Sequence, residues 1–202
     1  GWQQFGSQYL RKKDYAAELA AVLAFSAVAN HDRVGAVLFS DRIEGYVPPG
    51  RGRDHALRIV RDLLAREPLG RGTDLAGALR FAQRVMRRRG IVALISDFQA
   101  EGYEKALGAL RRRHDVVALH LRDPRESDLP AAGLVAFTDP ETGERVVADT
   151  AREEVRRALR APAFEASRAV FKKTRVDALA LGTGESYERP LSGFFKARER
   201  RR

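Results

Sequence analysis

The sequence GRGTDLAGALRFAQRVMRRRGIVALISDF, residues 70–98, decides the fold of this chain. It opens on a glycine-flanked Thr73-Asp74 pair and continues with apolar residues at helical spacing as far as Arg89. It ends in an apolar run, residues 91–95, that stops at Ser96-Asp97. Such an uninterrupted run is typical of a strand buried on both faces of a parallel sheet. Because ligands of open α/β sheets collect at the carboxyl ends of the strands, we expect Thr73 and Asp97 to meet at one site.

The rest of the chain alternates between helical and strand patterns. This alternation predicts one α/β domain over residues 1–202, with a doubly wound, mostly parallel sheet and helices on both faces. A short link before the second strand, and Pro48-Pro49-Gly50 at its end, predict an antiparallel edge strand. A β-hairpin with its turn at 139–143 is inserted within residues 123–150. The predicted helices are 13–30, 53–66, 73–89, 103–113, 152–173 with a kink or break at Pro162, and 187–198; the predicted strands are 33–39, 43–47, 91–96, 116–121, 134–137, 145–148 and 176–181.

The chain is strongly basic, with a formal net charge of +10 from 37 Lys and Arg against 27 Asp and Glu. Arginine runs stand at 87–89, 111–113 and 198–202. Such runs suit binding to nucleic acid or to an anionic membrane. Two of them also close predicted helices, where cations complement the helix dipole. Motifs that interleave basic and aromatic residues are missing, so solvated helix ends are the simpler interpretation and the binding surface is the alternative.

Composition and motifs limit the chemistry. The absence of cysteine excludes disulfides, thiol catalysis and cysteine-ligated metals, and is compatible with a reducing cytoplasm. No apolar run approaches the roughly 18 residues of a membrane span, and no signal peptide is visible. A nucleophile elbow, a P-loop and a dinucleotide-binding glycine motif are all missing. We therefore expect no enzyme. A Mg²⁺-dependent phosphoryl-transfer site on Asp97 would need further carboxylates, and Asp41 and Asp74 are the nearby candidates.

Thr73 and Asp97 offer the oxygen ligands that Mg²⁺ prefers. Each also has a simpler structural role, because either Thr73 or Asp74 can cap the helix that follows, and Asp97 can cap the helix after its strand. Spacing alone leaves both interpretations open.

Almost the whole chain resembles the von Willebrand factor A (vWA) domain of the bacterial DUF58 family. Each motif is weak alone, but their order and spacing are specific. The residues that carry the resemblance are Phe5-Gly6-Ser7, Asp32–Gly35 leading to Leu38–Asp41, Pro48-Pro49, Gly70–Leu75, Ile95–Phe98, His114–Ala118, Asp123–Glu126, Leu129–Leu134, Asp139–Gly143 and Asp149-Thr150.

The resemblance implies a metal-ion-dependent adhesion site (MIDAS), which combines an Asp-x-Ser-x-Ser motif, a Thr in a later loop and an Asp that ends a strand. Thr73 matches the second element and Asp97 the third. The first element is absent; in DUF58 proteins it directly precedes a Phe-Gly-Ser like that at residues 5–7. The resemblance therefore implies that the first, central strand is missing between strands 33–39 and 91–96. It also implies Mg²⁺ or Mn²⁺ in the intact protein, and weak or no metal binding by this chain.

For function, the resemblance implies a non-catalytic protein-interaction module. An open position on the MIDAS metal accepts an acidic side chain from a partner, and the expected partner is a MoxR-type AAA+ ATPase. Membrane-spanning helices often precede this domain in DUF58 proteins. We therefore expect a cytoplasmic domain whose parent protein is tethered to a membrane.

Overall fold

The computed structural model describes residues 12–66, 69–70, 72–122, 131–138, 145–159 and 164–201. These residues form seven helices and seven strands. In chain order the elements are α1 (Lys12–Ala29), β1 (Val34–Phe39), β2 (Ile43–Gly50), α2 (Arg53–Ala65), α3 (Leu75–Val85), β3 (Ile91–Ser96), α4 (Glu104–Arg113), β4 (Asp115–Arg122), β5 (Leu134–Thr138), β6 (Arg145–Asp149), α5 (Glu153–Leu159), α6 (Phe164–Thr174), β7 (Asp177–Gly182) and α7 (Glu188–Glu199).

The strands form three groups. β3, β4 and β7 make a parallel sheet in that order, β1 pairs with β2 antiparallel, and β5 pairs with β6 as an antiparallel hairpin. The predicted mixed α/β fold, the antiparallel strand and the two strands of the hairpin are confirmed; the hairpin turn at 139–143 lies outside the described residues. Within the described part of the chain, β1 and β3 belong to separate sheets.

Strand β4 is the centre of the core. Its first seven residues are all buried, as its sequence DVVALHLR leads one to expect of a strand covered on both faces. Val116 and Ala118 join an apolar cluster with residues of α3, α4 and α6. Leu119 and Leu121 join a second cluster with residues of α1, β7 and α7. Because neighbouring side chains of a strand point to opposite faces, the two clusters mark the two faces of the sheet.

Two predicted boundaries, the ends of β2 and α3, are wrong. β2 continues through the two prolines to Gly50, because an edge strand tolerates residues that lack an N–H donor. α3 ends at Val85 rather than Arg89, since Met86 is already extended where the chain turns toward β3. The break predicted at Pro162 agrees with the structure, in which the span 152–173 is occupied by two helices, α5 and α6; Pro162 itself lies outside the described residues.

Gly35 makes the irregular pairing of β1 with β2 possible. The register shifts by one residue between Val34 and Ala36, opposite the prolines of β2. A Cβ atom on Gly35 would lie 2.8 Å from the carbonyl oxygen of Val47 and 2.9 Å from the nitrogen of Pro49. Only glycine therefore fits at this bulge without moving the backbone of β2.

One buried cation fixes the last helix to the sheet. Arg198, near the end of α7, is 9% exposed, and its Nη2 donates to Asp115 Oδ1 at 2.5 Å. Its Nη1 donates to the carboxylate of Asp177. Asp115 and Asp177 begin β4 and β7, so a single guanidinium joins α7 to the amino ends of two neighbouring strands.

We expect Arg198→Met to lower the free energy of unfolding by about 3 kcal/mol, because it leaves the buried carboxylate of Asp115 without its cation. Urea denaturation measures this as a lower midpoint with an unchanged slope. Arg200→Met removes an exposed arginine from the same helix end and should cost less than about 0.5 kcal/mol. Adding Asp115→Asn to Arg198→Met should restore part of the loss. Equal effects of the two single substitutions would show that Arg198 is only a surface charge.

Candidate functional site

The loop before α3 is fastened to the start of β2 by the carboxylate of Glu44. Glu44 Oε1 accepts hydrogen bonds from the backbone nitrogens of Leu69 at 3.0 Å and Gly70 at 2.9 Å. It also accepts one from the hydroxyl of Ser40 at 2.5 Å. The Ser40 hydroxyl, followed by the Gly70 N–H, lowers the pKa of Glu44 from its ordinary value because both donate to the ionised form.

A second attachment lies at the other end of this loop. The backbone nitrogen of Asp74 donates to the carbonyl oxygen of Ser40, the residue that follows β1, at 2.7 Å. At Gly70 a Cβ atom would overlap the side-chain oxygens of Ser40 and Asp41, so a larger residue here would have to displace those side chains. Thr73 is thereby held beside the carboxyl end of β1.

Of the two candidate caps for α3, the structure selects Asp74. Its Oδ1 accepts from the backbone nitrogen of Gly77 at 2.7 Å, as an N-cap side chain should. Thr73 stands one residue before the cap and is exposed. The simpler interpretation of Thr73 as the cap is therefore wrong. Asp41, the other carboxylate considered for this edge, pairs with Arg42 at 2.7 Å, and this arginine lowers the pKa of Asp41.

Asp97 follows β3 and does not cap a helix, because α4 begins at Glu104 with Tyr103 in the cap position. Its Oδ2 lies 3.4 Å from the Nζ atom of Lys12, at the start of α1. Its Oδ1 accepts only a long bond, 3.5 Å, from the nitrogen of Gln99. The interpretation of Asp97 as a helix cap is therefore wrong too, and its carboxylate is already paired with a cation from the chain.

The backbone around Asp97 is held in an uncommon conformation. Phe98 has a φ of 53°, in the left-handed region that bulky residues rarely adopt. Its buried ring packs against Phe171, with the ring centroids 4.8 Å apart, and against His120. His120 Nε2 lies 2.7 Å from the carbonyl oxygen of Asp97, so this nitrogen carries the proton and donates it. Burial lowers the pKa of His120, which favours the neutral ring.

The polar residues of this edge surround one end of a shared apolar cluster. Phe39, Leu75 and Phe98 all pack in the cluster on the α3–α4 face of the sheet. These three residues directly adjoin Ser40, Asp74 and Asp97 in sequence. The structure thus brings the loop of Thr73 to the end of β1, and it ties Asp97 to α1 and β4.

The described residues do not by themselves make up a metal centre. Among them, no three or more His, Cys, Asp or Glu side chains are grouped so that they could hold an ion. The Asp97 carboxylate carries its ion pair with Lys12, and Thr73 adds only a hydroxyl. This donor set falls short of the six oxygen ligands of Mg²⁺ unless water or other protein groups supply the rest.

Sequence reasoning missed four residues of this edge: Lys12, Ser40, Glu44 and His120. The Ser40-Asp41 pair after an apolar run carried the same signal as Ser96-Asp97 and could have been found. Glu44 bonds to backbone nitrogens 25 and 26 residues away, and no local pattern indicates such a contact. His120 lies within an apolar run, and the run itself gives no sign that this residue belongs to the site. Its place at the site follows from its pairing with Ser96 across the sheet.

The fold defines a mixed α/β protein built on a parallel sheet, with polar side chains at the carboxyl end of β3. Comparisons with known proteins identify the family of the chain and a solved structure with a similar fold. The family described as "Protein of unknown function DUF58" matches residues 1–169. The chain belongs to the DUF58 family.

Mycobacterial proteins are among its relatives. The uncharacterized proteins Mb1516 of Mycobacterium bovis and Rv1480 of Mycobacterium tuberculosis are each 30% identical to it over 202 residues, which is 97% of this chain and 63% of theirs. The uncharacterized protein MAV169 of Mycobacterium avium is 32% identical over 160 residues, covering 76% of this chain and 94% of its own length. The chain therefore spans less than two thirds of the first two relatives.

A solved structure shares the fold. The crystal structure of the conserved hypothetical protein BatB from Bacteroides thetaiotaomicron aligns with a TM-score of 0.57 and 14% sequence identity. The alignment covers 93% of this chain and 87% of BatB. At this identity the likeness concerns the fold alone.

We expect Glu44→Gln to loosen the loop before α3, because a neutral amide is a weaker acceptor for the two backbone N–H groups. Hydrogen exchange at Leu69 and Gly70 should become faster. In the original chain the protection of these two amides, which is the intrinsic exchange rate divided by the observed rate at the same pH, should also decrease as the pH falls through the depressed pKa of Glu44, since protonation removes the charge that the bonds favour. The Glu44→Gln variant should lack this pH dependence. Glu101→Gln changes an exposed glutamate elsewhere and serves as the control; identical exchange in all three proteins would contradict the role of Glu44.

The chain should bind Mg²⁺ weakly or not at all, because Lys12 already compensates Asp97 and few oxygen donors remain. Calorimetric titration with millimolar Mg²⁺ should show no saturable heat. The melting temperature should stay unchanged, since a ligand that does not bind the native state cannot stabilise it. A tight isotherm with one ion per chain would overturn this expectation.

Proposed function

We propose that this chain is part of a non-catalytic protein-interaction module of the vWA type. Its binding surface is the carboxyl edge formed by the end of β1, the loop of Thr73 and the end of β3. In the intact protein this edge holds a MIDAS-like divalent-metal site, with Thr73 and Asp97 among the ligands. The partner is a protein that presents an acidic side chain, and we propose a MoxR-type AAA+ ATPase.

The observation that carries the proposal is the construction of this edge. Two hydrogen bonds to Glu44 and one to Ser40 hold the loop of Thr73 against β1. At Asp97, the ring of His120 and the left-handed Phe98 fix the backbone that presents the carboxylate. Residues held in rare backbone conformations, such as Phe98, cluster at functional sites.

The fold supports the vWA assignment in a coarser way. The likeness to BatB concerns a chain of similar size and topology. A doubly wound sheet with one central strand absent accounts for the separation of β1–β2 from β3–β4–β7 among the described residues. β3 also has the apolar sequence of a buried strand, yet Ile91 is 60% exposed. We propose that a further strand of the intact protein lies between β1 and β3.

A bound Mg²⁺ or Mn²⁺ would supply an electrophilic position for a partner's carboxylate. The residues of this chain contribute the hydroxyl of Thr73 and the carboxylate of Asp97. Lys12 has to leave Asp97 for that oxygen to become available. The remaining ligands belong to the proposed segment outside this chain, which is why we expect metal dependence only in the intact protein.

We propose no catalytic role for Asp41 or Asp74. Asp41 pairs with Arg42, and Asp74 caps α3.

No helix in the described part of the chain has the length and apolar character needed to cross a bilayer. We propose that the module works in the cytoplasm and that its parent protein is membrane-tethered.

The test is binding of the full-length parent protein to a purified MoxR-type ATPase from the same organism. Asp97→Ala in the parent should weaken binding about tenfold or more, because it removes the ligand that ends β3. The matched control, Asp32→Ala, removes an exposed carboxylate that lies before β1 and should leave affinity within about threefold. Chelation of divalent ions should reproduce the Asp97→Ala effect, but it also affects the ATPase, so the variant is the decisive arm. Equal affinities of the two variants would contradict the proposal.

A further inference from the structure

Four arginine-rich segments meet at the amino edge of the parallel sheet. Residues 87–89 directly precede β3, residues 111–113 end α4 just before β4, and Arg175 precedes β7. The order β3–β4–β7 sets these three segments side by side. Contacts confirm their proximity: Asp115 N donates to the carbonyl oxygen of Gly90 at 2.9 Å, and Arg111 Nε donates to that of Arg175 at 3.1 Å.

The fourth segment is the end of α7, residues 198–201. Arg198 binds Asp115 and Asp177, the first residues of β4 and β7, and so fixes this helix end at the same edge. Arg200 and Arg201 follow it and are exposed. We call residues 87–89, 111–115, 175–177 and 198–201 the basic edge.

Acidic residues of the basic edge offset little of its charge. Its sequence holds ten arginines and three carboxylates, those of Asp115, Asp177 and Glu199. Both aspartates pair with the buried Arg198, and Asp177 Oδ1 also lies 3.9 Å from Nη1 of the exposed Arg201. The exposed arginines are 87, 88, 89, 112, 113, 175, 200 and 201. One cation at each helix end would complement the dipoles of α3, α4, α6 and α7, so the number of arginines exceeds what helix stability requires.

We propose that the basic edge docks the protein on an anionic phospholipid surface. Three neighbouring strands span only about 10 Å, so the exposed guanidinium groups form a compact cluster rather than a long track. A bilayer presents phosphates in two dimensions and engages every cation of such a cluster at once. Arginine suits this role because its planar fork binds phosphate oxygens in pairs.

Nucleic acid fits the basic edge less well. A single strand is normally held by a basic groove with aromatic side chains on which the bases stack. The four segments contain no Phe, Tyr or Trp. A duplex gains affinity with the number of phosphates contacted along its length, and a cluster this short contacts few.

Docking through the basic edge leaves the candidate site accessible. Parallel strands place Asp97 at the carboxyl end of β3 and residues 87–89 at its amino end. The six residues of β3 separate these two surfaces by roughly 20 Å. A membrane on one side therefore does not cover a partner site on the other. The inference stands without the proposed function, since it rests on a different surface.

The test is flotation of the chain with vesicles of phosphatidylcholine alone and with vesicles that also contain phosphatidylglycerol. We expect binding only to the anionic vesicles, weakening as salt is raised toward physiological ionic strength and above. Reversing the charges of Arg87, Arg88 and Arg89 to Glu should lower the partition coefficient about tenfold or more. A second variant, Arg112→Glu with Arg113→Glu, tests the edge independently of the connection before β3. Circular dichroism of each variant checks that the fold is kept.

The matched control reverses three exposed arginines outside the basic edge, with Arg58→Glu, Arg61→Glu and Arg189→Glu, so that net charge changes equally. It should lower partitioning less than about threefold. Equal losses of vesicle partitioning in the basic-edge variants and in the control would mean that net charge alone determines binding, and would overturn the proposal. So would the absence of binding to anionic vesicles, or binding to duplex or single-stranded DNA that exceeds binding to vesicles and depends on the same arginines.

Discussion

The burial of β4 from Asp115 to Leu121 is the constraint on which the rest of the structure depends. A strand covered on both faces needs a paired neighbour at each edge and a helical layer on each side. β3 and β7 supply the neighbours; α3, α4 and α6 cover one face, and α1 and α7 cover the other. Arg198 completes the arrangement, because its guanidinium donates hydrogen bonds to both carboxylates that begin β4 and β7.

The same strand determines what lies at its two ends. At the carboxyl end, His120 of β4 holds the carbonyl of Asp97, and the packed ring of Phe98 keeps the backbone in a conformation that it would not adopt alone. At the amino end, arginines end α4 and follow α3 and α6, where the chain returns to the sheet. A candidate protein-binding edge and a basic edge therefore lie at opposite ends of one sheet, and both positions follow from the direction of its parallel strands.

Much of the fold could be predicted from local patterns, because β3 and β4 are continuous apolar runs and the helices between them are amphipathic. The same patterns identified Asp97, since a polar pair that ends an apolar run marks the carboxyl end of a strand. The contacts that fix the site could not be predicted. Glu44 reaches Leu69 and Gly70 across the sequence, and Arg198, in what read as a solvated basic tail, is buried. Such pairings depend on tertiary geometry, which local propensity does not encode.

The central claim is that a protein partner binds at the carboxyl edge. Hydrogen–deuterium exchange of the full-length parent protein, alone and with the purified ATPase, tests it most directly. We expect slower exchange on binding in residues 40–44, 69–74 and 96–99, with exchange at the basic edge unchanged. Slower exchange confined to the basic edge or to the β5–β6 hairpin, with the carboxyl edge unaffected, would contradict it.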